Sequence, residues 1–247
     1  MNVRRRVIAV AVAAGVALAP AAIGASSANA EAGTKSLASV LLKDTTKKGN
    51  PSYDHNSADF DILTAAVLTV LAKKPNSPVS VLTDGSVKLT AFLPTDAAFE
   101  RTGKALGITA HSEERLAMKY VKALKVKGVE SVLLYHVIPG VKINAGTAAE
   151  SDGAKLETAL GQKVAVNVSD KGIFLRDKAR DVRNAKVIVT NINKGNKQIA
   201  HAINGVLLPR LSFEPKLPGP VLRVPAASVV GLGFQDARTD DRRAWAA

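Results

Sequence analysis

Residues Leu89–Phe99 read LTAFLPTDAAF, and the rhythm of this stretch changes halfway. Val87, Leu89, Ala91 and Leu93 alternate with Lys88, Thr90 and Phe92, the two-residue period of a β-strand. Pro94 has no N–H to give to a sheet ladder and stops that strand. Thr95 or Asp96 then offers a side-chain oxygen to cap a short helix carrying Ala97, Ala98 and Phe99.

Upstream, SADFDILTAAVLTVLAKK places Phe60, Leu63, Val67, Val70 and Leu71 at three- and four-residue steps, which predicts an amphipathic helix. Ser57 or Asp59 can cap its start, and Pro75 follows its end. Residues 31–56 read as an N-terminal extension, with a short helix over the apolar patch Leu37–Leu42 and then a loop. Downstream, SEERLAMKYVKALKV predicts a helix capped by Ser112, with Leu116, Tyr120 and Leu124 repeating every four residues. GVESVLLYHVIPG predicts another, ended by Pro139-Gly140. The remainder is β-rich. KVAVNV and IFLR flank Ser169–Gly172 as a hairpin, AKVIVTNI is a strand, and AHAI and VLLP flank Asn204-Gly205 as a second hairpin. Helices come first and strands later, with one strand pair crossing that divide. The fold class expected is α+β, in one copy without internal repeat.

The ends of the chain read differently. Arg4, Arg5 and Arg6 precede an uncharged apolar run from Val7 to Ala19, and Ala28-Asn29-Ala30 is a small-x-small cleavage site. This predicts a secretory signal peptide over 1–30, cut after Ala30. The run stops at Pro20, short of the roughly 20 residues a membrane-spanning helix needs, and no later stretch is long and apolar enough to span. Pro215, Pro218, Pro220 and Pro225 break any period, so 212–247 is expected to be a flexible tail. Losing three arginines takes the formal charge from +13 to +10, a balance that suits anionic partners such as wall polymers, acidic glycans, lipid headgroups or nucleic acid. There is no cysteine. That excludes disulfides, thiol nucleophiles and thiolate metal sites, and leaves stability to the burial of apolar area.

Three segments in order resemble the fasciclin domain family. LTAFLPTDAAF is similar to its first signature box, LLYHVIPG (Leu133–Gly140) to its central Tyr-His motif, and IAHAINGVLLP (Ile199–Pro209) to its second box; Asp59–Leu71 fits its opening helix. The domain so delimited is 57–211. Asn204 stands where an aspartate is common, Ala200 and Ala202 are smaller than usual, and INKGNKQ is unusually basic for its loop. The resemblance implies a wedge of β-sheet flanked by helices. It also implies extracellular work, in cell adhesion or matrix attachment, and it does not imply catalysis; no cofactor is expected, and the chain is expected to be a monomer. The alternative it leaves open is a carrier of a small apolar ligand between sheet and helices.

The candidate motif residues are Thr95, Asp96, Tyr135, His136 and His201. One reading of them is a structural clamp, in which a buried imidazole or phenol binds the Pro94-Thr95-Asp96 turn, because buried polar groups need partners. The other is direct contact with an adhesion partner. Candidate surface-binding residues are Lys122, Lys125, Lys127, Lys194 and Lys197. No metal site is expected, since the histidines show no metal-binding spacing. No G-x-S-x-G elbow, phosphate-cradling loop or His-Glu-x-x-His is present. Specific nucleic-acid binding is not expected either, because the ten aromatic residues mostly occupy core-like positions.

Overall fold

The computed structural model describes residues 32–46, 49–179 and 182–210. The expected signal peptide and C-terminal tail lie outside the described residues. The helices are α1 (Leu37–Leu41), α2 (Asp61–Lys73), α3 (Asp96–Ala105), α4 (Glu113–Tyr135) and α5 (Ala145–Ala149). The strands are β1 (Leu89–Pro94), β2 (Val137–Pro139), β3 (Lys155–Glu157), β4 (Lys163–Ser169), β5 (Gly172–Arg176), β6 (Ala185–Ile192) and β7 (Gln198–Ile203). The seven strands form one sheet in the order β2-β1-β7-β6-β5-β4-β3, in which β1 and β7 pair in parallel and the other neighbours antiparallel. The class is α+β, a wedge of sheet flanked by helices. No described helix is long and apolar enough to cross a membrane.

The alternation in Leu89–Pro94 sorts two cores. Leu89, Ala91 and Leu93 face a cluster with Ile62, Val67 and Val70 of α2 and Leu116, Val132 and Leu133 of α4. Phe92 faces the opposite way, among Tyr135, Ile138, Val164, Val166 and Leu175. All six residues of β1 are therefore buried. Thr90 is tolerated there because its hydroxyl donates to Val141 O (3.0 Å) and accepts from Ile143 N–H (2.8 Å).

Four local expectations are corrected. The helix through Tyr135-His136 does not run to Pro139. It ends at Tyr135, with His136 as its C-cap, and Val137–Pro139 becomes β2, paired with Leu89–Ala91. The two helices expected over this region run on as α4, broken at Lys125 (φ 58°, ψ 168°). The Asn204-Gly205 hairpin is absent. β7 ends at Ile203 and VLLP lies outside any strand, because side chains and not a neighbouring strand take its N–H groups: Thr102 Oγ1 accepts from Val206 (3.1 Å), His136 Nε2 from Leu207 (3.0 Å) and Asp177 Oδ2 from Leu208 (2.8 Å). Finally, neither Ser57 nor Asp59 caps α2. The Asp96 carboxylate does so from 35 residues away, accepting from Asp61 N–H (3.0 Å) and Ile62 N–H (2.9 Å).

The segment before α2 is packed into the same core. Leu37 is fully buried and Leu41 nearly so. Leu37 N–H donates to Gln198 Oε1 (2.7 Å), while Gln198 Nε2 donates to Val81 O and Asp84 O (2.8 Å each). A Cβ on Gly85 would lie 1.6 Å from the Thr34 carbonyl oxygen, a backbone atom that no rotamer change can move aside. Gly85→Ala is expected to cost about 1–2 kcal/mol and to expose residues 33–41 to proteolysis. Unchanged melting and protease resistance would mean the segment is not held this way.

Candidate functional site

The three sequence motifs converge on β1. Phe92 is opposite His201 in the parallel β1–β7 register, their rings 6.0 Å apart. Phe92 N–H donates to His136 O (2.9 Å), and Thr95 N–H donates to Ile203 O (3.2 Å). Thr95, Asp96, Tyr135, His136 and His201 are all buried, none more than 4% exposed.

His136 does not reach the Pro94-Thr95-Asp96 turn with its ring. Its Nε2 accepts from Leu207 N–H, which leaves the proton on Nδ1 to donate to Val132 O (2.7 Å). One neutral ring thus ties the end of α4 to the chain leaving β7. Burial holds its pKa down at about 4, against the Val132 bond, which favours the charged form. Tyr135 donates its hydroxyl to Lys163 O (3.2 Å), tying α4 to β4, and burial raises its pKa to about 12. His201 donates from Nε2 to Ile143 O (2.8 Å), while its Nδ1 is buried without a partner. Thr95 sits at the N-cap position of α3 but makes no side-chain capping bond. Asp96 serves α2 instead, and burial, together with the Asp59 carboxyl, pushes its pKa up to about 8.

The lysine candidates fall in two places. Lys122, Lys125 and Lys127 are exposed on α4 around its break, and Lys127 also bears electrostatically on Glu130. Lys194 and Lys197 lie on the turn between β6 and β7, with Lys194 exposed. Sequence reading missed Lys35, whose backbone is tied to this turn, and exposed Lys43. Asn196 Oδ1 accepts from Lys35 N–H (3.0 Å), and Asn193 Nδ2 donates to Lys35 O (2.7 Å). The positive charge of Lys43 nearby lowers the pKa of Lys35. Thr102, Asp177 and Gln198 were also missed. Each is a polar residue in an otherwise ordinary helix, turn or strand, with no local signal of its distant partner.

Among curated proteins none matches the sequence. One solved structure, a FAS1 domain pair from the insect cell adhesion molecule fasciclin I, is similar at 16% identity over 66% of this chain and 51% of that one, with a TM-score of 0.43. The chain thus spans about half the length of that structure. The family model of the fasciclin domain matches residues 64–209, from α2 through the Tyr135-His136 pair to the segment that His136 holds. More than half of the chain is covered, and the chain belongs to the fasciclin domain family.

Proposed function

We propose that this chain is a secreted, monomeric adhesion module, released by cleavage after Ala30, that holds an anionic cell-surface or matrix component and performs no catalysis. The observation that carries this reading is that the backbone of exposed Lys35 is tied to the turn bearing exposed Lys194. Cationic side chains gathered at a surface favour an anionic counterpart. Membership of a family of adhesion-type modules supports the coarser part, a non-catalytic binding role. The five motif residues act in this reading as ties within the fold, because a buried side chain meets no partner.

The alternative, a carrier of a small apolar ligand, needs roughly 300–1,000 Å³ of enclosed room. The apolar cleft between α2, α4 and Val206–Leu208 has about 40 Å³, so the adhesion reading is preferred. Its test is retention of the protein on an immobilised sulfated glycan. Lys35→Glu combined with Lys194→Glu should weaken binding about tenfold, and raising salt well above physiological strength should abolish it. The same reversals at Lys122 and Lys125 should have a smaller effect. Retention indifferent both to salt and to the first pair would overturn the reading.

A further inference from the structure

The face of α2 turned away from its core stripe lines an open groove of about 920 Å³, room enough for a small ligand by the usual range of about 300–1,000 Å³. Ala65, Leu68 and Thr69 stand three and four residues apart, on one side of the helix. All three are half-buried. Tyr53 and Asn50 of the loop before α2, and Glu114 in the first turn of α4, also line the groove. It is therefore neither an apolar slot nor a purely charged surface.

Tyr53 is held in place at an energetic cost. Its φ of 49° lies in the left-handed region, which a bulky side chain seldom adopts. Its neighbours fix that conformation. Ser52 donates its N–H (3.1 Å) and its hydroxyl (3.3 and 3.2 Å) to the Asp61 carboxylate, and Pro51 pairs with Thr45. Tyr53 packs on the core cluster of α2 and α4 and also lines the groove, so it presents part of its side chain to solvent from a fixed mount. Burial, together with the carboxylates of Glu114, Asp61, Asp96 and Glu113, raises its pKa to about 12. The hydroxyl thus keeps its proton at neutral pH and can both donate and accept. The same acids make the surroundings negative in a chain of net charge +13. Among the described residues no lysine or arginine lines the groove, so an anion is repelled there.

We propose that this groove binds a neutral glycan, as a short oligosaccharide or a stretch of an uncharged polysaccharide. A pyranose ring carries an apolar face of C–H groups and a rim of hydroxyls. The Tyr53 ring, Ala65 and Leu68 suit the face, since an aromatic side chain offers a large apolar body with a polar tip. The Asn50 amide, the Thr69 hydroxyl and the Glu114 carboxylate suit the rim, between them donating to and accepting from hydroxyls. A purely apolar ligand would leave those three groups nothing to bond, and a sulfated or phosphorylated one would meet like charge at Glu114. The groove is open along its length, so a chain can continue past it at either end. The site draws on none of the residues at the lysine-bearing turn, and stands or falls apart from binding there.

The test titrates the full mature chain with three neutral trisaccharides, maltotriose, cellotriose and triacetylchitotriose, and follows backbone amide shifts by NMR. At least one of them should give saturable shifts centred on Asn50, Tyr53, Ala65 and Thr69. Tyr53→Ala should weaken that binding about tenfold or more, as loss of an aromatic anchor does, and Tyr53→Phe, which keeps the ring, should retain most of it. Thr69→Tyr, which fills the groove from the half-exposed side of α2, should also abolish it. That variant and the wild-type shift map stand even if Tyr53→Ala fails to fold. Added salt, and Lys35→Glu combined with Lys194→Glu, should leave it unchanged. No saturable shift with any of the three sugars, or shifts centred outside the groove, would overturn the proposal. Binding undiminished in both Tyr53→Ala and Thr69→Tyr would do the same. Displacement of the sugar by heparin from these same amides would overturn it in favour of an anionic ligand.

Discussion

His136→Ala should lower the stability of the domain by about 3 kcal/mol in denaturant unfolding, the joint effect of a buried donor left unpaired and a ring-sized void. The ring is 4% exposed, and its Nε2 is the acceptor of Leu207 N–H. Leu207 is itself 1% exposed, so water has no easy route to replace that bond. The same ring predicts a pH dependence. Its folded pKa, about 4, lies below the ordinary value of 6.5. The neutral ring therefore contributes stability that is fully present above pH 6.5 and lost as pH falls toward 4, up to about 3 kcal/mol. Burial pushes His201 in the same direction. Asp96, whose pKa is raised, acts with the opposite sign, favouring the fold at low pH and losing that contribution as pH rises toward 8. The difference between wild type and His136→Gln isolates the histidine, and its acid slope should be shallower in the variant. Identical denaturation midpoints for wild type and His136→Ala would show that neither ring nitrogen contributes.

Asp96→Ala should cost roughly 2–3 kcal/mol, because two N–H groups at the buried start of α2 lose their acceptors together. Asp96→Asn is the informative contrast. Its amide oxygen still accepts one N–H, and its amide nitrogen can donate to the Asp59 carboxylate in place of the protonated Asp96 carboxyl that bonds it in the wild type. Measured at neutral pH, Asp96→Asn is expected to stay within about 1 kcal/mol of wild type. If both substitutions cost the same, the cap across 35 residues does not set the stability of α2.

Elements governed by nearby residues were legible in advance. The stripe Leu63, Val67, Val70 gave α2, the alternation through Leu89–Leu93 gave β1, and the Ser169–Gly172 turn gave the β4–β5 hairpin. Ser112 caps α4 as expected, accepting from Arg115 N–H (3.4 Å). The misreadings share one cause, which is competition from distant groups. Asn204-Gly205 has the composition of a hairpin turn, yet Asn204 instead receives Lys186 N–H on its side chain (2.8 Å) and donates its own N–H to Lys186 O (3.0 Å). That holds residue 204 against β6 and sends Val206–Pro209 away from the sheet. The helix expected to reach Pro139 gives way at His136 because Val137 and Ile138 find a partner strand in Ala91 and Thr90.

For the candidate site the division is sharper. The identity and order of Thr95, Tyr135, His136 and His201 were readable, because each sits in a motif whose local geometry follows from adjacent residues. Their partners were not. Leu207 lies 71 positions from His136, and Asp96 serves a helix that begins 35 positions before it. The sequence by itself determined the periods of the helices and strands, the absence of disulfides and the sign of the charge. The tertiary structure alone decided which polar groups meet, where the acids of a basic chain collect, and which lysines stand together. The physical reason is range: a backbone period depends on neighbours two to four residues away, whereas a hydrogen bond or a charge contact depends on distance in space, which chain separation does not encode.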